Sequence, residues 1–266
     1  MNLYLSSTLC WAYPINDVLR IAKQLEYSGV EVWAEQVWYH DTTIESIIQT
    51  NQICGIDISL HAANWDLNIT SLNKGIQKQS IREIEKSIVL AQQIGANSVT
   101  IHPGKMTLES DWLDYHYQLL IENLQHLAQF SNQAGVELSL ELMEPKEKEM
   151  IMSPEQINRL LEELPSNVST TFDAAHVPIT EDILDYFKRT NRINKVHVSD
   201  SNEYVNHLPL GTGSANIDPF LEELLSFRSP VVIEGFENNK SLYSLLTNTK
   251  YLKHFLHKHN SIQNLS

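Results

Sequence analysis

The sequence predicts an α/β chain folded as one (β/α)8 barrel, a single domain spanning residues 1–266, and three observations carry that prediction. Short β-branched runs alternate with longer amphipathic runs along the whole chain, the pattern of a parallel sheet whose strands are joined by helices. Eight strand signals divide the 266 residues into units of about 33 each, the size of one strand–helix repeat in a closed barrel. After the first apolar run, the segment STLCWAYP lacks the glycine-rich phosphate turn that a doubly wound open sheet would carry there.

The strands read NLYLSS from Asn2, VEVW from Val30, IDISLHA from Ile56, SVTIH from Ser98, VELSLEL from Val136, VSTTFD from Val168, INKVHV from Ile193 and VVIEGF from Val231. Each is short and rich in Val, Ile, Leu or Thr, and each runs into a polar loop. Helical periodicity fills the intervals. From Ile15 to Tyr27 the apolar positions are Val18, Leu19, Ile21, Ala22 and Leu25, and the chain turns at Gly29. From Ile81 to Ile94 they are Ile84, Ile88, Ala91 and Ile94, stopped by Gly95; the segment from Trp112 to Phe130 precedes Gly135 in the same way. A glycine after a helix and a short gap to the next strand mark the return loop. Ser153 reads as a helix cap, with Pro154 at the first helical position and Gln156 three residues beyond the Ser. Asp218-Pro219 opens the helix before the last strand.

Composition narrows the partners. With 33 acids against 19 bases the formal net charge is −14, a field that repels phosphodiester backbones and anionic membrane surfaces. The densest basic stretch, KYLKHFLHKH from Lys250, is short. Cys10 and Cys54 are too few for a disulfide framework and read as structural thiols in a reducing compartment. The segment MNLYLSSTLCWAYP has neither the basic flank nor the apolar run of a secretory signal, and no apolar stretch reaches bilayer length. A cytoplasmic protein is expected. Its expected partner is a small molecule rather than nucleic acid or a membrane; a homo-oligomer is compatible with the sequence.

Six of the strand runs end on an acid or an imidazole: His61, His102, Glu141, Asp173, His197 and Glu234. In a closed barrel these ends converge on one mouth, where active sites lie. Carboxylate and imidazole are ligands of zinc, manganese, cobalt or iron, and the mixture does not choose among them. A divalent metal site is therefore expected at the mouth.

The order Glu, Asp, His, Glu at the ends of strands five to eight resembles the xylose-isomerase-like barrel superfamily, which includes sugar isomerases and epimerases and endonuclease IV. The local motifs are SLELMEP around Glu141, TTFDAAHV around Asp173 and His176, NKVHVSD around His197 and Asp200, HLPLGTGSANID from His207, and VVIEGFE around Glu234. The resemblance covers essentially the whole chain. It implies that Glu141, Asp173, His197 and Glu234 hold one divalent ion. His61 in SLHAANWDLN and His102 in TIHPGK look like strand-end metal ligands of endonuclease IV; their other reading is hydrogen bonding to substrate or to a carboxylate. His176 reads as a substrate contact or as a group that orients Asp173, and His207, in its His-to-Gly loop, reads similarly. In endonuclease IV an Asp stands two residues before that histidine. Here the position is Val205, so the resemblance implies that a third metal has lost a ligand and that one or two ions bind per chain.

Two chemistries fit such a site. The first is isomerisation or epimerisation of a sugar or sugar derivative, by proton transfer through a metal-stabilised enediolate. Glu141 and Glu234 would exchange roles as base and acid on opposite sides of the substrate. His176 and Asp200 would position hydroxyls, although Asp200 also reads as a group that orients its loop. Trp11, Trp33, Trp38 and Trp65 read either as platforms for a sugar face or as packing at the mouth. Lys105 reads either as a contact to an anionic substrate or as a solvated lysine, and the run from Glu144 to Glu149 as a solvated loop. No arginine follows His197 where sugar epimerases often place one, which argues against a ring-like sugar. The alternative is an endonuclease IV-like phosphodiester hydrolase (AP endonuclease family 2 type), in which two metals share Glu141. It accounts better for His61 and His102 and worse for the net charge.

Overall fold

Alternation along the strands sets which side chains meet inside the molecule. A computed structural model describes residues 1–108 and 112–263, with side chains described as far as residue 259. Within them lie the parallel strands β1 (Asn2–Ser6), β2 (Gly29–Trp33), β3 (Asp57–His61), β4 (Ser98–Ile101), β5 (Glu137–Glu141), β6 (Val168–Asp173), β7 (Ile193–Val198) and β8 (Pro230–Ile233). They pair in sequence order and β8 returns to β1, closing the (β/α)8 barrel.

The helices are α1 (Ile15–Gln24), α2 (Ala34–Tyr39), α3 (Ile44–Cys54), α4 (Lys74–Ile94), α5 (Leu113–Ala134), α6 (Pro154–Glu162), α7 (Ile183–Arg189), α8 (Asp218–Leu224) and α9 (Tyr243–Gln263). The Ser153 hydroxyl accepts from the Gln156 amide, and Pro154 takes the first turn of α6 as its sequence predicts. Helix α4 starts well before Ile81, because the Asn73 side chain accepts from the Gly75 and Ile76 amides and supplies an earlier cap. Helix α1 stops at Gln24 rather than reaching Tyr27, since Glu26 turns to the left-handed region at φ 69°. Gly95 and Gly135, at φ 74° and 70°, close α4 and α5 in the left-handed conformation that spares a glycine any Cβ clash.

Successive strand residues face opposite sides of the sheet. Outward go Val30, Val32, Leu60, Val99, Leu138, Leu140, Val196 and Val231, all fully buried in the apolar layer under the helices. Inward go Glu31, Ser59, Thr100, Ser139, Thr171 and Lys195, which are equally buried but polar. Hydrogen bonds cross this inner layer: Thr100 to Thr171 at 3.0 Å and Ser139 to Thr171 at 2.7 Å. Lower in the barrel the ring of Tyr4 lies so close to Gly29 that a Cβ there would come within 2.6 Å of it, which is why β2 begins with glycine. Among the described residues no helix is long and apolar enough to cross a membrane.

Candidate metal centre

One step above the polar layer, on the same inward face, stand the strand-end residues. Each follows an inner-layer residue by two positions: Ser59 and His61, Thr100 and His102, Ser139 and Glu141, Thr171 and Asp173, Lys195 and His197. The period-two geometry of a strand thus carries every one of them to the C-terminal mouth.

Glu141, Asp173, His197 and Glu234 each bring a ligand atom to within 4.8 Å of the others. His197 Nδ1 lies 2.9 Å from Glu234 Oε2 and 3.3 Å from Glu141 Oε1. All four residues are buried. Asp173 Oδ2, Glu234 Oε2 and His197 Nδ1 nevertheless have no aligned hydrogen-bond partner among the described residues. Three buried carboxylates at this spacing repel one another, and polar atoms stripped of water without a partner carry a desolvation cost. A divalent cation fits this donor set, because it answers both costs at one point.

Glu141 is shared with a second group. Its Oε2 lies 3.2 Å from His61 Nε2 and 3.0 Å from His102 Nε2. His61 Nδ1 sits 2.9 Å from the Ala62 carbonyl, which can only accept, so that nitrogen carries the proton. Nε2 then meets the Glu141 carboxylate as a bare lone pair, unless the ring is charged or a cation lies between them. His176 repeats the arrangement. Its Nδ1 donates to the Leu142 carbonyl at 2.8 Å, and its Nε2 stands 3.4 Å from both Asp173 Oδ2 and Glu144 Oε2. His207, 31% exposed and at φ 58°, completes a third group with Asp173 and His176. Val205 offers no ligand to that group, whose carboxylate is Asp173.

Where no cation intervenes, protons occupy the same places. Burial opposes charge on His176, but Asp173, Glu141 and Glu144 outweigh it and raise its pKa to about 9. His61 and His197 also move upward against burial, through Glu141 for the first and through Glu234, Glu31 and Glu141 for the second. Burial lifts the Asp173 carboxyl to about 6, although His176 and His207 pull the other way. For Glu234 burial is overcome by His197, and the carboxyl falls to about 2. Glu141 is likewise driven well below the usual carboxylate range, by His102 and His197 against burial.

A cavity of about 310 Å³ opens over Glu234 and His207, walled by Thr8, Trp33, Trp65, Gly235 and Phe236. Trp33 stacks on His61 with centroids 4.0 Å apart, and Trp11 packs against Trp65 and Phe236 behind the wall. Trp38 lies instead on α2, with the Lys86 ammonium over its ring. Lys105 is tied to Glu149 at 2.7 Å, and its backbone is held by Asn68 and Thr70. The run from Glu144 to Glu149 is therefore not simply a solvated loop: Glu149 is buried and paired, and Glu144 reaches His176. Asp200 is buried, and its carboxylate accepts from the Ser201, Gly211, Gly213 and Ala215 amides, which folds the loop carrying His207.

Sequence reasoning passes over Glu31, Lys195 and Phe236. Glu31 sits between Val30 and Val32, and Lys195 precedes Val196, in strands that must be covered on both faces, and a charge in that setting is the signal that marks them.

Residues 19–254 match the family described as Xylose isomerase-like TIM barrel, and the chain belongs to that family. Fructoselysine 3-epimerase of Shigella flexneri is 24% identical over 202 residues, covering 71% of this chain and 72% of that protein. Probable endonuclease 4 of Staphylococcus epidermidis is 26% identical over 189 residues, covering 66% of this chain and 62% of that protein. Among solved structures, a D-tagatose 3-epimerase-like protein shares the fold with a TM-score of 0.85 at 21% identity, over 98% of this chain and 99% of that one.

Proposed function

We propose that this chain is a divalent-metal-dependent isomerase or epimerase of a sugar or sugar derivative. The observation that carries the reading is the four-residue group at the mouth, three of whose members hold a buried atom without an aligned partner and one of which, Glu234, lines a cavity with an aromatic wall. Bound there, the cation would polarise a substrate carbonyl and make the proton on the adjacent carbon acidic. Glu141 from β5 and Glu234 beyond the end of β8 flank the place the substrate would occupy. Both are held ionised at neutral pH by neighbouring histidines, so either can begin as the base. One would remove the carbon-bound proton to give an enediolate, and the other, after taking up a proton from water, would return it from the opposite side. His176, fixed by the Leu142 carbonyl, and His207, 3.1 Å from the Ser199 hydroxyl, hold substrate hydroxyls. Trp33, Trp65 and Phe236 present ring faces to the C–H side of a sugar and keep bulk water off it. Fructoselysine and tagatose, named for the relatives, are the kind of substrate such a mouth would take.

The test is exchange chemistry. The chain loaded with Mn2+ or Co2+ is incubated in D2O with free ketoses and fructoselysine, and NMR follows deuterium entry at carbon and the appearance of an epimer or isomer. Exchange that depends on the metal supports the reading.

A second reading has one observation in its favour. His61 and His102 close on the same Glu141, so a second group of donors adjoins the first, as a hydrolase with two metals would use. Against it stand the net charge of −14 and the pairing of Lys105 with Glu149, which leave little to hold a phosphate chain. Nicking of a duplex with an abasic site, together with no exchange on any sugar, would transfer the assignment to an endonuclease IV-like hydrolase.

A further inference from the structure

Below the donor group the barrel encloses a charged pair that the proposed chemistry does not touch. Glu31 on β2 and Lys195 on β7 are both fully buried. Lys195 Nζ lies 2.5 Å from Glu31 Oε1, and the Thr100 hydroxyl stands 3.0 Å from the ammonium and 3.2 Å from that same oxygen. The other oxygen, Glu31 Oε2, is 2.7 Å from His197 Nε2, within reach of a hydrogen bond although the two atoms are not aligned for one. On the far edge of the same ring, Nδ1 faces Glu141 and Glu234.

Stability does not explain such a pair. Removing two charges from water costs about as much as their attraction returns, and apolar residues of similar volume often serve as well or better. The outward face of the same strands uses that apolar solution throughout. What an apolar plug cannot do is orient an imidazole. A ring nitrogen that binds a cation must keep its lone pair, so the ring proton sits on the other nitrogen and needs an acceptor. Glu31 Oε2 is close enough to become that acceptor once a cation on Nδ1 sets the ring. Its partner oxygen is fixed by Lys195 and Thr100, which stops the carboxylate from turning away. Lys195 also offsets charge. Glu141, Asp173 and Glu234 already exceed a dication by one negative charge, and Glu31 alone would add another. Because Lys195 and His197 are two residues apart on β7, one strand carries both the ligand and the anchor of its support.

We propose that Glu31 is a positioning residue that holds His197 as an Nδ1 metal ligand, and that Lys195 and Thr100 hold Glu31 for that task. The inference rests on the four-residue group being a metal site.

The test compares metal binding with stability in the full chain. In Glu31→Gln, Lys195 claims the amide oxygen and the amide nitrogen is left facing His197 Nε2. Donor then meets donor, the ring proton is forced to Nδ1, and the ligand lone pair is lost. Affinity for Mn2+ by calorimetry should fall by about 10–100-fold, and the visible bands of the Co2+ form should shift. The double variant Glu31→Leu/Lys195→Met removes both charges. It should melt near the wild-type temperature without metal, yet still bind Mn2+ weakly. A mere strut predicts the reverse, with affinity returning alongside stability. That result overturns the inference, as do wild-type affinity and an unshifted Co2+ spectrum in Glu31→Gln. Should the wild-type chain itself bind neither ion, the metal reading fails and this inference with it; wild-type binding with unaffected variants sinks the inference alone.

Discussion

On β5, Leu138 and Leu140 point outward under the helices while Ser139 and Glu141 point into the barrel, and neighbouring strands repeat the split. Both faces are buried, but they follow different rules. Outward, the side chains are apolar apart from Thr170, and burial of each large one contributes roughly 1.5–3 kcal/mol without any directional demand. Inward, charged and hydroxyl groups form chains of hydrogen bonds, and at the mouth above them Asp173 Oδ2, His197 Nδ1 and Glu234 Oε2 lack aligned partners. The outer wall satisfies itself; the inner wall is complete only with something added. That places the fold's stability on one side of the sheet and the capacity for chemistry on the other.

The sharpest way to break this division is to change each face of one strand. Glu141→Gln and Glu234→Gln keep size and shape but remove a base. Metal-dependent proton exchange should fall by about 10²–10⁴-fold in either variant, with the far-ultraviolet circular dichroism unchanged. Full turnover in either one would remove that residue from the chemistry. Leu138→Ala, one pleat away from Ser139, should do the opposite. It should lower the unfolding free energy in urea by about 2–5 kcal/mol through the lost contacts and the cavity left behind. Metal stoichiometry and exchange rate per folded molecule should stay at wild-type values. A Leu138→Ala protein that folds normally but loses metal would show that the two faces are not separable.

The barrel and the order of its mouth residues are legible in the sequence, because a strand that ends on an acid or imidazole announces both its period and its direction. Helices α2, α3 and α7 are harder to see. Helix α3 leaves Ile53 exposed and Ile48 partly so, which blurs its apolar stripe, and α2 and α7 span few turns. The start of α4 is hidden by a polar first turn behind Asn73. At the site, Glu31 and Lys195 are 164 positions apart, and only closure of the sheet brings them together. The role of Glu149 is hidden for the same reason, since its partner Lys105 comes from a different loop. Residues whose function follows from strand position could be read directly; residues whose function follows from a partner across the barrel could not.

A smaller effect sharpens the contrast through pH. His176 has a pKa of about 9 in the folded chain against 6.5 unperturbed, so folding favours its charged form. The stability it contributes without metal is fully present below pH 6.5 and is lost as pH rises through 9. His61 and His197 are shifted in the same direction and add to the same trend. Asp173, raised to about 6, acts in that sense at lower pH, between 3.8 and 6. Glu141 and Glu234 act oppositely, but their window lies below pH 4.5. With chelator present, the melting temperature should therefore fall between pH 6.5 and 9, by about 2–4 °C for each kcal/mol lost in a chain of this size. With Mn2+ in excess the fall should be smaller, because the cation takes the place of the proton on His197 and offsets the Asp173 and Glu141 charges that hold His176 protonated. Both curves come from one set of thermal melts. If they decline in parallel, protons and metal do not share the inner face, and the division between a self-satisfied outer wall and a cation-dependent inner one no longer holds.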